Sequence, residues 1–154
     1  MSRDTNDDIG SLERSPLHLL HRADQCATDI FLDIVKENGL TPRQFAVLST
    51  IAKYEGLSQT HLVERTGIDR STIADVTQRL LKRGLVQRSR TREDARAYAV
   101  TLTEFGLETL KAAEPHMKRV DETILAALAA SRRDGFVDDL IAIVDALQPK
   151  TARP

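Results

Sequence analysis

The sequence predicts a mainly α-helical fold with one β-hairpin, on three observations. Apolar residues recur at helical spacing in six segments, most of them opened by a Ser, Thr or Asp suited to capping, and four closed by glycine. Two short runs, Leu85 to Arg90 and Tyr98 to Leu102, flank the polar stretch TREDARA and read as a hairpin. Basic residues are concentrated on and just before that hairpin.

Residues 1–14 are polar and aperiodic, and are expected to be a frayed tail. Ser15-Pro16 opens the first helix, with Ser as cap and Pro where a missing N–H costs nothing. Leu17, Leu20, Ala27, Phe31 and Ile34 share one side of it, opposite His18, Arg22, Gln25, Asp29 and Lys36. Asn38-Gly39 is expected to stop it, with Gly39 as a left-handed cap. Thr41-Pro42-Arg43-Gln44 reads as a capping box opening the second helix, whose stripe is Phe45, Leu48, Ile51 and Ala52 and whose end is Glu55-Gly56. Ser58 caps a short third helix to about Thr66, with Leu62 and Val63 inward. Gly67-Ile68-Asp69 is a tight turn, and Asp69 caps the fourth helix, which runs to Arg83 and stops at Gly84. In the second strand, Tyr98, Val100 and Leu102 alternate.

Thr103 caps a long fifth helix reaching about Ala129, with Leu107, Leu110, Met117, Val120, Ile124 and Leu128 inward. Pro115 within it is expected to bend or locally break it. Ser131 caps a sixth helix with the stripe Phe136, Leu140, Ile143, Val144 and Leu147, and Pro149 lies beyond its end. The chain thus divides into a tail (1–14), a dimerisation helix (15–38), a lobe (40–103), C-terminal dimerisation helices (104–148) and a second tail (149–154).

The 154 residues suit one domain, or one domain with a dimerisation arm. With 41% hydrophobic and 29% charged residues, the composition is that of a globular chain, neither disordered nor membrane-embedded. No apolar run reaches transmembrane length, and the N-terminus lacks a signal-peptide core, so a soluble cytoplasmic protein is expected. One cysteine and four histidines leave little for a disulfide or a zinc site, and no cofactor is implied. No phosphate loop and no nucleophile–base pairing points to an enzyme.

The net charge of −1 conceals an asymmetry. From Arg79 to Arg96, seven basic residues stand against two acidic ones, a net +5 that leaves −6 for the rest. Such a patch on an acidic chain points to a polyanion, against the alternative of a solvated charged face. Helix, glycine turn, helix and basic hairpin is the layout of a winged helix-turn-helix. In the fourth helix Ile73, Val76, Thr77 and Leu80 face inward. Its first turn (Arg70, Ser71, Thr72) and the outward Ala74, Asp75, Gln78, Arg79 and Lys82 are left for base edges or phosphates of double-stranded DNA. Arg88, Arg90, Arg92 and Arg96 sit on and around the hairpin loop, suited to a narrow minor groove, with Asp94 placed to hold Arg96.

Residues Leu40 to Gly106 resemble the MarR family of bacterial transcriptional regulators. The matching pieces are LTPRQFAVLSTIA, LSQTHLVERTGIDRSTIADVTQRLLKRGLVQR and DARAYAVTLTEFG. The wing Asp94-x-Arg96 followed by Leu102-Thr103-x-x-Gly106 is the most specific part. The resemblance implies a homodimer with interlocked first, fifth and sixth helices and a palindromic operator bound as a repressor. It also implies release by a small-molecule effector, such as an aromatic acid or its CoA thioester, where the first, second and fifth helices meet. The terminal helices support the dimer independently, since a lobe of this size cannot cover both their apolar faces.

Asp24 lies within the apolar side of the first helix with His21 one turn earlier. Buried there, both need partners, so a polar pocket or a polar dimer contact is expected. Arg22 and Arg43 are candidate anchors for an anionic ligand. Cys26 raises the alternative of an oxidation sensor, but nothing cationic is spaced to activate it, so it reads as a buried structural thiol. A second alternative is a winged helix that binds only protein, which would not need arginines at the wing.

Overall fold

The computed structural model describes residues 11–36, 39–90 and 98–148. Its order is α1 (Pro16–Ile34), α2 (Pro42–Lys53), α3 (Gln59–Thr66), α4 (Arg70–Lys82), β1 (Val86–Arg90), β2 (Tyr98–Leu102), α5 (Glu104–Leu125) and α6 (Arg133–Leu147). The mainly helical fold with one antiparallel hairpin is therefore as expected. The hairpin loop tip, with Arg92, Asp94 and Arg96, lies outside the described residues, as do Asn38 and the segments 1–10 and 149–154.

The lobe forms around α4. Leu48 and Ile51 from α2, Leu62 from α3, Ile73, Val76 and Leu80 from α4, and Leu85, Val86 and Val100 from the hairpin close one core with Leu110 and Ala113 of α5. Burial of each large aliphatic side chain contributes roughly 1.5–3 kcal/mol. A second cluster joins Phe31 and Val35 at the end of α1 to Val120 of α5. Phe45 packs against both clusters and so links the lobe to the α1–α5 pair.

Local signals place the element starts. Thr41 and Gln44 exchange both capping-box bonds (3.2 and 3.1 Å), and Ser58 caps α3 reciprocally with His61. Gly67, left-handed at φ +68°, ends α3 and turns the chain into α4. The start of α5 is strapped to the α4–β1 turn: Thr103 Oγ1 donates to Gly84 O (2.6 Å) and accepts from Gly106 N (3.0 Å). Leu57 adds a bridge on the outer edge of β2, its carbonyl accepting from Val100 N at 2.8 Å.

Several expectations are corrected. Leu12–Arg14, assigned to the tail, forms a 3-10 turn before α1. The first helix stops at Ile34, well before Gly39, because Val35 leaves helical geometry as it buries against α5. On α2 the core side is Gln44, Val47, Leu48 and Ile51, with Ala52 exposed, a rotation that sets Phe45 between the two clusters. In β2, Ala99 and Val100 are buried while Tyr98 is exposed, so strict alternation fails. On α5, Leu107 is exposed, because Gly106 is the residue that meets the lobe. The helix runs on through Pro115 without a break. Ser131 lies within a 3-10 turn (Ala130–Arg132) and does not cap α6, which starts without a side-chain cap.

Candidate nucleic-acid interface

The first turn of α4 is organised by Asp69. Its carboxylate accepts from Thr72 Oγ1 (2.7 Å), Ser71 Oγ (2.7 Å) and Thr72 N (2.9 Å). Hydrogen bonds from the Thr72 and Ser71 hydroxyls, then from the Thr72 amide, hold this carboxyl well below the usual carboxylate range. The hydroxyl protons of Ser71 and Thr72 are thereby committed to the cap. Toward a ligand these side chains offer acceptor lone pairs, which narrows the donor role expected of them.

Beyond that turn, α4 divides as its periodicity predicts. Ile73, Val76, Thr77 and Leu80 are buried, and Arg70, Ser71, Ala74, Asp75, Gln78, Arg79 and Lys82 are exposed. Thr72 is half-buried. Arg79 Nε donates to Asp75 Oδ2 at 2.9 Å, one turn apart, on a water-facing surface. Such an exposed pair adds little stability, but it offsets the Asp75 charge that would otherwise repel phosphate. The remaining Arg79 donors stay available.

On the wing, Arg88 and Arg90 are exposed and lie two residues apart, so they share one face of β1. Arg88 pairs across the hairpin with Val100, and Arg90 with Tyr98. Arg88 and Tyr98 border a cleft of about 350 Å³ whose other wall is Ser58, Gln59 and Thr60 at the start of α3. The sequence reading passed over those three as site residues. The signal was present in their position, since the first helix of a helix-turn-helix crosses the backbone of bound DNA. Arg83, by contrast, is counted in the basic run but works inside the fold: its Nη1 donates to Gly39 O (2.9 Å) and Gln44 Oε1 (3.4 Å).

The residues singled out for a small ligand separate. Asp24 and Arg43 line one cavity of about 410 Å³ together with Thr28, Thr41, Pro42 and Gln44, and with Thr72, Asp75, Val76 and Arg79 of α4. His21 and Arg22 are exposed on α1 and do not line it. Asp24 and His21, expected within a buried apolar side, are both exposed, because the N-terminal half of α1 has no cover among the described residues. Cys26 on the same stretch is likewise exposed, which corrects its reading as a buried thiol. The cavity is walled by the first, second and fourth helices, with no lining residue from α5.

Among the described residues, no helix is long and apolar enough to cross a membrane. Residues 38–97 match the MarR family model. The chain is 32% identical over 152 residues to the HTH-type transcriptional repressor NicR of Pseudomonas putida, covering 94% of this chain and 96% of that one. Its fold superposes with a TM-score of 0.83 on the PcaV transcriptional regulator of Streptomyces coelicolor, solved with its natural ligand. Identity is 35%, with 90% of this chain and 97% of that one covered. A TM-score of 0.83 also relates it to BpsR of Bordetella bronchiseptica, whose DNA binding is regulated by 6-hydroxynicotinic acid. There identity is 29%, and coverage 88% and 96%. With its polar α4 face, its arginine-bearing hairpin and these relatives, the chain belongs to the MarR family of transcriptional regulators.

Proposed function

We propose that the protein acts in the cytoplasm as a homodimeric repressor, not an enzyme, that binds a palindromic operator and leaves it when a small aromatic acid or its thioester binds. One observation carries the DNA reading: the exposed face of α4, with Arg70, Ala74, Gln78, Arg79 and Lys82, and the exposed wing arginines Arg88 and Arg90 belong to one lobe with a shared core. A helix entering the major groove and a hairpin beside it would use these groups for base edges and phosphates. Ser71, Thr72 and Asp75 shape the helix start and hold Arg79, and Arg92, Asp94 and Arg96, which lie outside the described residues, are assigned to DNA contact from the sequence alone. Residues 40–103 form the DNA-binding lobe in this reading, with 15–38 and 104–148 as dimerisation arms.

The dimer reading rests on uncovered apolar surface. Leu12, Leu17, Leu19 and Leu20 at the start of the chain, and Val137, Ile141, Ile143, Val144 and Leu147 on α6, are all exposed, Leu17 to 66% and Leu147 to 76%. No residue of α6 is buried. A helix this apolar and this bare needs a partner, and a second copy brings the same two faces.

The test is fluorescence anisotropy of the purified protein on DNA from immediately upstream of its own gene, with an unrelated duplex as control and salt titrated. Tight, selective binding with a steep salt slope is the expected result. Equal, weak binding to both duplexes would overturn the operator assignment.

A further inference from the structure

We propose that residues 149–154, which leave α6 at the turn of the helix-turn-helix, act as a basic arm whose Lys150 and Arg153 contact DNA phosphates beside the start of α4. This rests on the reading of the protein as a DNA-binding regulator. The segment lies outside the described residues, but its point of departure lies within them. The helix α6 stays hydrogen-bonded to its end, where Gln148 N donates to Val144 O at 2.9 Å. There the Gln148 amide lies against Gly67, since a Cβ on that glycine would stand 2.8 Å from Gln148 Nε2. Gly67 is the left-handed residue that ends α3, just before Asp69 and Arg70 open α4.

The charge of the chain changes sign at that point. The helix α6 carries Asp134, Asp138, Asp139 and Asp145 against Arg133. Beyond Gln148 the sequence is PKTARP, with two cations and no acidic side chain. A cation near a helix C-terminus is favoured by the helix dipole, but that effect fades within the last turn. It accounts for Lys150 at most, because Arg153 stands well beyond Leu147, the last residue of α6. A polyanion beside the turn accounts for both. The rival partners are Glu64 and Asp69, which flank the turn, and Asp69 already accepts three hydrogen bonds from Ser71 and Thr72.

The reach is sufficient. Arg153 follows Gln148 by five residues, which span up to about 16–18 Å when extended. That approaches the length of α4, roughly 20 Å for a helix of its size. Two cations on a short arm are enough for such a role, as in homeodomains, where an arm of this kind accompanies a helix in the major groove. A contact to phosphate adds affinity without sequence preference. In a two-fold dimer each half-site receives one arm.

Fluorescence anisotropy across a salt series tests the arm in the full chain, on DNA from upstream of its own gene and on an unrelated duplex. The double variant Lys150→Ala/Arg153→Ala should lower the slope of log affinity against log salt by about 2 for each bound copy, on both duplexes alike. Its sedimentation velocity and thermal unfolding should match those of the native protein. A native slope in the double variant would overturn the proposal, and a lowered melting temperature with that native slope would assign the cations to Glu64 or Asp69 instead. Affinity cleavage locates the contact independently. In a Cys26→Ser/Ala152→Cys protein, iron–EDTA attached at position 152 should cut the upstream DNA beside each half-site, and no cutting above that of the unlabelled protein would overturn the arm. A native protein that binds neither duplex overturns the DNA reading and the arm with it, whereas steep native binding with an unchanged double variant removes the arm alone.

Discussion

Asp69 accepts three hydrogen bonds from Ser71 and Thr72, and they depress its pKa below the unfolded value of about 3.9. A carboxyl depressed in the folded state contributes stability that is complete above the unfolded pKa and is lost as pH falls through the folded one. The stability difference between the native protein and Asp69→Ala should therefore be constant from about pH 7 to about pH 4 and narrow below it. Thermal unfolding across that range checks this, and a difference that persists undiminished in acid would contradict it. Gly106 matters for a different reason. A Cβ there would overlap the Leu85 carbonyl, which is backbone and cannot swing aside. Gly106→Ala should cost about 1–3 kcal/mol in denaturant unfolding, with the midpoint lowered. Asp69 was legible as a cap from its place before an amphipathic run. Gly106 was legible only as part of a motif, since Leu85 lies 21 positions away and meets it through the fold.

Among the elements, α4 was read most completely. Its four inward residues are determined by a 3.6-residue period and by a lobe core on one side only. The wing was read in outline, as two strands of the right place and order. The alternation within β2 was misread because Leu57 bridges its outer edge and Ala99 is buried as well as Val100, neither of which periodicity shows. The basic run was overcounted in one respect, for Arg83 serves the α1–α2 connection. This difference yields a prediction. If the wing contacts DNA as proposed, Arg88→Ala and Arg90→Ala should each reduce the slope of log affinity against log salt by about 1, because each would remove one charge facing phosphate. Anisotropy at several salt concentrations checks it, and slopes equal to the native one would remove the wing from the footprint.

Across the whole molecule, the lobe is closed and the arms are open. The core of α2, α3, α4 and the hairpin leaves few apolar groups in water, while α6 and the start of α1 leave most of theirs there. Ile141 is 53% exposed on the bare face of α6, so Ile141→Asp should not disturb the lobe. It should instead split the dimer in sedimentation velocity and weaken operator binding, since two recognition helices must be held about 34 Å apart to meet two half-sites. A dimer of native stability in that variant would move the interface elsewhere.

The sequence alone determined the order of the helices, the caps that open the first five of them, the inward side of α4 and the sign of charge on the hairpin. Each follows from chemistry within a few residues: a hydroxyl or carboxylate reaching a nearby amide, a repeat of apolar groups, a run of guanidinium groups. Tertiary structure alone decided which charges share a space. Asp24 and Arg43 lie 19 positions apart, yet they line one cavity with α4. His21 and Arg22, which looked equivalent in the sequence, do not line it. The placement of α1 beside the lobe, of which α2 is part, brings the first two together, and contacts made across the fold leave no period in the chain to read.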